Sequence, residues 1–498
     1  LTRIWPTIDA AIRHSRHRAK APLTWDPNSH LLSRLTFGPT PADRRRIASH
    51  GGADWAERHA AQWYATQVEL GRKHAGYSGN SHVARQGPLL HRSPYDVQQW
   101  LINHDQAYGW VAMDQLTQVT LGLQAYSVAQ LYETLVDFFS NHLNVPNHNG
   151  DLWNTRHAYD RDVIRKHAMG SFTDMLLESA RHPAMLIYLN IAQSTKNAPN
   201  ENYGRELLEL HTVGLQYKQS DVTNAARMLT GRTVDENQHY LFDDYVHPTG
   251  RIRVLDFEHP NARAQGGQAA GDAMLRYLAK HPFTAKHLAR KVCVRYVSDD
   301  PSDELVSAVA KAYLHSGTKI LPMVHTILCS TEFWESRGQK IRRPAENLVA
   351  TVRALGAGVR DWGKALQSLH WQSSSLGNVP LDWPAPNGYA DTASAWRSAG
   401  SLLDEWDLHL GFAGGWWDGF AEYDPKLLYQ GAKPATSGKA VDLLTRTLTG
   451  MRFADPHRRA LQHFLGENPS TPIDSSTLRW YLAPLVALIL HGPHHAQR

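Results

Sequence analysis

The run NENYGRELLELHTVG, Asn200 to Gly214, constrains this chain more than any other stretch. It leaves a polar, proline-marked loop, stops at a glycine, and reads as one short helix. At about 3.6 residues per turn, Gly204, Leu207, Leu208 and His211 share a face, so the imidazole points where the leucines are buried. Arg205 and Glu209, four apart, lie on another face and are expected to pair. Gly214 stands where a helix C-cap glycine belongs. The inward His211 is either a satisfied core residue or part of a site.

The same grammar recurs along the chain. Ser127 to Leu143 places Leu131, Leu135, Phe138 and His142 on one apolar stripe, and Asn144 to Gly150 then breaks it. Thr40, Pro41 and Asp43 form an N-cap, a proline at N1 and an acidic N3 residue. Only between Thr233 and Phe257 does the pattern become β-like, around a His-Pro-Thr-Gly turn at His247 to Gly250. No fixed-period repeat and no alternation of strands with helices appears, which argues against Rossmann and TIM architectures. The expected fold is mainly α: a large, multi-helix, bundle-like fold with one small β-hairpin excursion near 236–257. The expected organisation is an N-terminal arm or helix over 1–21 and a main helical body over 22–355. A Trp/Pro/Gly-rich helical region over 356–498 is expected to pack on that body.

Composition removes several function classes. A formal net charge of +5 spread over 498 residues gives no nucleic-acid footprint, and the one dense basic run, Arg44-Arg45-Arg46, reads as a solvated helix face. Two cysteines, Cys293 and Cys329, make neither a disulfide framework nor a CxxC motif. The longest apolar run, Trp480 to Leu490, is too short to span a bilayer and contains Pro484. With 29 histidines in the chain, abundance identifies no ligand, and position has to decide.

A series of motifs resembles one bacterial family. In order they are HLLSRLTFGPTPAD, DFFSNHLNV, YDRDVIRKHAMGSF, ARHPAMLIYLN, NENYGRELLELHTVGL, DVTNAARMLTGRTV, HPFTAKHLARKVCVRYVSDDP, STEFWES and PNGYADTASAW. They run from about Leu31 to Phe412 and are similar to those of the domain of unknown function 1800 (DUF1800) family. The resemblance implies a helical bacterial protein, often exported to the periplasm or cell exterior, with cytoplasmic residence as the alternative. It implies no activity.

Four histidines, His142, His167, His182 and His211, fall on successive helices or their ends, at positions where the family pattern has histidine. Histidines converging from separate helices are how bundle-core metal sites and axial haem sites are built. Imidazole suits copper, iron and zinc. The expectation is therefore an oxidoreductase using a haem or a transition metal (Cu, Fe or Zn). His142, His167, His182 and His211 are the metal-ligand candidates, and His142 and His211 the cofactor-binding pair. Arg205, Glu206 and His211 are the catalytic candidates. A small-molecule, peptide or carbohydrate substrate is expected, with no nucleic acid and no membrane span. Two rival readings stand beside it. In one, a non-catalytic binding or assembly protein of the bacterial cell exterior keeps these histidines as core hydrogen-bond partners. In the other, a carboxylate and a histidine perform hydrolysis. No HExxH, GxSxG or paired Glu-x-x-His motif is present to favour a known hydrolase or di-iron pattern.

Overall fold

A computed structural model describes residues 27–104, 109–421, 428–429, 432, 434–466, 468–473 and 475–498. The expected N-terminal arm over 1–21 lies outside the described residues. The chain is mainly helical, with two small antiparallel sheets.

Local signals set most helix starts. Thr40 accepts from the Asp43 N–H at 3.1 Å while the Asp43 carboxylate accepts from the Thr40 N–H at 2.9 Å, so the expected capping box opens Pro41–His50. The helix at Gln130–His142 buries Leu131, Leu135, Phe138 and His142 as the periodicity requires, and most of its other residues as well, because it runs through the first core. The 200–214 stretch is α-helical over Glu201–Glu206 and continues as a π-turn over Leu207–His211, ending at Gly214 with φ +68°. Gly204, Leu207, Leu208 and His211 are all buried. The expected Arg205–Glu209 pair does not form. Arg205 bonds Gln219 at 2.9 Å and lies 3.9 Å from Glu201, whereas Glu209 takes the Tyr217 hydroxyl. The widened turn after Glu206 rotates Glu209 away from Arg205, so the four-residue rule no longer applies there.

The small β excursion lies where it was expected, as two short antiparallel pairs linked through the His-Pro-Thr-Gly turn. Arg232–Val234 pairs with Tyr240–Phe242, and Ile252–Val254 pairs with Phe257–His259. His247 sits in the link between them, buried, with its ring on the Thr230 carbonyl at 2.5 Å and on Asn261 Oδ1 at 3.1 Å.

Two main hydrophobic cores form. One gathers residues from Leu31 to Trp334. The other combines Leu348–Leu490 with much earlier residues, including Leu116, Val119, Leu121 and Leu123 of the Trp110–Tyr126 helix. The Trp110–Tyr126 helix belongs to this second core because it packs most extensively against Trp362–Ser375, in addition to its sequence neighbours.

Where the cores meet, the loop after Leu376 is stitched to the end of the Gln130–His142 helix. Asn144 donates to the Trp383 and Ala385 carbonyls at 2.8 and 2.7 Å, and Tyr389 N–H donates to Asn141 Oδ1 at 3.1 Å. Gly388 has φ +69°, and a Cβ there would press on the Asn141 carbonyl. Gly388→Ala is expected to destabilise the protein by about 1–3 kcal/mol, since backbone on both sides must shift. Chemical denaturation checks this, and wild-type stability in the variant would contradict it.

Candidate metal centre

The stitched loop delivers a set of side chains that the sequence keeps far apart. Asn147 holds the segment leaving the first core against the Trp110–Tyr126 helix, donating to the Met113 carbonyl at 2.8 Å and to Thr117 Oγ1 at 2.9 Å. Its own N–H donates to the Leu381 carbonyl at 2.7 Å. Leu381 has φ +68°, a left-handed conformation that costs a non-glycine residue about 1–3 kcal/mol and that concentrates at functional sites. The residues following these two anchors are His148 and Asp382.

His148 lies between two carboxylates. Its N–H and its Nδ1 both meet Asp382 Oδ1 at 3.0 Å, and its Nε2 faces Asp114 Oδ1 at 3.4 Å. His370, from the Trp362–Ser375 helix, brings Nδ1 to 3.9 Å from the same Asp114 oxygen. Trp110 stacks on the His148 ring at 5.9 Å, and the two imidazoles stack on each other at 5.9 Å. Asp114, His148 and His370 each offer one ligand atom, all within 4.8 Å of one another. Among the described residues this is the group of histidines and acids close enough to hold a metal ion.

Without a metal, the two imidazoles differ in charge, and His148 must release a proton for an ion to bind. Burial opposes a charge on His148, but the hydrogen bonds from Asp114 and Asp382 outweigh it and raise its pKa to about 9. Burial, aided by the neighbouring His148, pushes the His370 pKa down, although Asp114 opposes this, and favours its neutral, ligating form. The Asp114 side chain is 46% exposed, which leaves one side of the group open to solvent. Once His148 loses the Nε2 proton to an arriving metal, Asp382 on Nδ1 would hold the tautomer that leaves the Nε2 lone pair towards Asp114 and His370, the carboxylate–histidine arrangement that orients metal ligands.

The charge on His148 has a consequence for the metal-free protein. Its folded pKa of about 9 exceeds the ordinary histidine value of 6.5, so its stabilisation is full below pH 6.5 and disappears as pH rises through 9. In the presence of chelator, the gap in melting temperature between wild type and His148→Gln is expected to narrow across that interval. A gap that stays constant from pH 6 to 9.5 would contradict the assignment.

The four histidines expected from sequence are not brought together. His142 and His211 meet: His142 Nε2 lies 3.1 Å from the His211 carbonyl, and both residues are buried. His182 instead caps Pro183–Tyr188, accepting from the Ala184 N–H at 3.2 Å, and packs edge-on against Tyr159. His167 is half-buried at the end of another helix, where burial and the adjacent Lys166 lower its pKa. A third imidazole, His287, which the sequence did not single out, joins the inner pair, with Nε2 3.2 Å from the Leu210 carbonyl. His142 and His287 thus satisfy carbonyls at the open end of the 201–211 helix, as core hydrogen-bond partners do. Burial first, and the Lys291 charge after it, lower the pKa of His142, His211 and His287, and that charge disfavours a second cation. Of the catalytic candidates, Arg205 faces Gln219, and Glu206 is half-buried near Tyr188 with its carboxyl pushed up by burial and by Glu209.

Sequence reading missed the Asp114–His148–His370 group because no local spacing encodes it. Asp114 and Asp382 lie 34 and 234 residues from His148. The available signal was the pair of motifs DFFSNHLNV and PNGYA, which lie just before His148 and just after its partner Asp382.

No helix among the described residues is long and apolar enough to cross a membrane. The model of one protein family, described as protein of unknown function (DUF1800), matches residues 30–496, and the chain belongs to that family. Comparison with curated proteins and with solved structures gives no match.

Proposed function

From membership of a family without an assigned activity, we propose that this chain is a metal-dependent oxidoreductase whose ion is held by Asp114, His148 and His370. The carrying observation is the convergence of one carboxylate and two imidazoles, with ligand atoms within 4.8 Å. Metal–ligand bonds of about 2.0–2.2 Å need those atoms about 3–3.5 Å apart, a small side-chain adjustment from the distances present. Two histidines and one carboxylate with open positions suit ferrous iron and its oxygen chemistry. Asp382 orients His148, and Trp110 supplies a flat apolar wall on which a small-molecule substrate would lie. Residence in the periplasm or outside the cell is part of the same proposal and rests on family resemblance.

Metal analysis of protein purified after growth in iron- and zinc-supplemented medium tests the reading. One equivalent of iron that supports oxygen consumption with an added reductant is the expected result. One equivalent of zinc without oxygen consumption would favour metal-assisted hydrolysis, since the same kind of ligand set holds catalytic zinc. Less than a tenth of an equivalent of any transition metal would overturn both.

A further inference from the structure

The C-terminal segment folds back around a small cavity far in sequence from the metal centre. The lining brings together Ser33, Arg44 of the Pro41–His50 helix, Arg342, Thr449, His494 and His495, with apolar walls between them. Arg342 is fastened to that segment. Its backbone N–H donates to the Ala496 carbonyl at 2.8 Å, and its guanidinium donates to the carbonyls of His495 and, at 2.9 Å, Gln497. Arg44 donates to the Leu448 carbonyl at 2.7 Å.

Charge in this cavity is one-sided. Two guanidinium groups line it and, among the described residues, no carboxylate does. Arg342 is 7% exposed, and no described acid forms an ion pair with it. Glu346 acts on it at longer range but is taken up by Arg295, Arg343 and Arg498. Burial and then the Arg498 charge push the Arg342 pKa down to about 9, as expected of a cation short of counter-charge. His494 is 4% exposed, and neither of its ring nitrogens has a hydrogen-bond partner. Phe453 stacks on that ring at 3.8 Å and His457 meets it edge-on at 4.9 Å. Whichever nitrogen carries the proton, the imidazole offers an N–H donor, and a buried donor without an acceptor is costly. His495 differs, because its Nε2 meets the Thr351 hydroxyl at 3.1 Å.

We propose that this cavity binds a single chloride ion, held by the Arg342 and Arg44 charges and by the His494 N–H. The ion fastens the C-terminal segment to the Pro41–His50 helix and to the end of the Ser437–Thr449 helix. Size selects the ligand. The cavity leaves about 10 Å³ for the centre of a water-sized sphere, which suits one atom and is too little for phosphate, sulfate or a carboxylate. The guanidinium groups disfavour a metal cation there. A water molecule would satisfy His494 but leave the buried Arg342 charge uncompensated, whereas an anion answers both needs. None of these residues belongs to the Asp114–His148–His370 group, so the site stands independently of the metal centre.

Thermal melting of the intact chain, with sodium chloride replacing sodium gluconate at constant ionic strength, tests this, because gluconate is too large for the cavity. Wild type is expected to melt about 2–5 °C higher in chloride, with a gain that saturates as a single site does. His494→Phe keeps the stack on Phe453 and removes the donor, and Arg342→Met removes the charge. Both should lose most of the chloride response, and His494→Phe carries the test should loss of the Arg342 carbonyl bonds weaken folding. Crystals grown in bromide should show a single anomalous peak beside Arg342 and His494. Equal melting in the two salts, as a water-filled cavity gives, an unchanged response in His494→Phe, or a cavity without bromide would overturn the proposal.

Discussion

Replacing Glu346 by alanine is expected to destabilise the protein by about 3–5 kcal/mol. Glu346 is 4% exposed and pairs with three guanidinium groups: Arg295, Arg343 at 3.2 Å and Arg498 at 3.3 Å. It also accepts from the Arg343 N–H at 3.0 Å as the N3 residue of the Pro344–Leu355 helix. Arg295 and Arg343 share Asp137, and Arg498 reaches Asp391 at 3.5 Å. One network therefore joins the Gln130–His142, Pro282–Tyr296 and Pro344–Leu355 helices to the stitched loop and the C-terminal segment. Removing its central anion leaves three buried cations with too few counter-charges, and that uncompensated charge makes up the cost.

Glu346→Gln separates charge from packing, because it keeps the shape. It should lose most of the same stability, and a variant within about 0.5 kcal/mol of wild type would sink the electrostatic account. Burial alone would raise the Glu346 pKa, but Arg295, Arg498 and Arg343 outweigh it and hold the carboxyl well below the usual range. Its stabilisation is thus present above about pH 4.5 and is lost as pH falls towards the folded value. Acid denaturation of wild type should accordingly be steeper than that of Glu346→Gln.

His148→Ala is expected to abolish stoichiometric metal binding, and Asp382→Asn to weaken it by about 10–100-fold while leaving the stoichiometry at one. Equilibrium dialysis with Fe(II) or Zn(II) and thermal melts with and without metal would measure both. The same measurements on His167→Ala and His182→Ala decide between the two ligand sets. Those histidines lie in other surroundings, His182 as a helix cap against Tyr159, and their removal should leave metal content unchanged. Loss of metal in either variant, with His148→Ala unaffected, would return the site to the histidines marked by sequence.

Sequence determined what depends on local spacing. The Thr40–Asp43 capping box and the apolar stripe ending in His142 follow from cap chemistry and from about 3.6 residues per turn, whereas the expected burial of Gly204 to His211 is reached through a π-turn. The ordered motifs also identified the family. Periodicity could show that His142 and His211 point inward, but not what waits there. Whether an inward imidazole meets a carbonyl, an amine or another ligand depends on which helix arrives across the core. Tertiary structure alone decided that His142 and His287 would bond the helix-end carbonyls. It alone placed Asp114 and His370, on helices of one core, opposite His148 on a loop leaving the other. Side-chain convergence across hundreds of residues is fixed by packing of helix faces and by a few backbone anchors such as Asn147 and Leu381, and none of these leaves a periodic trace in the chain.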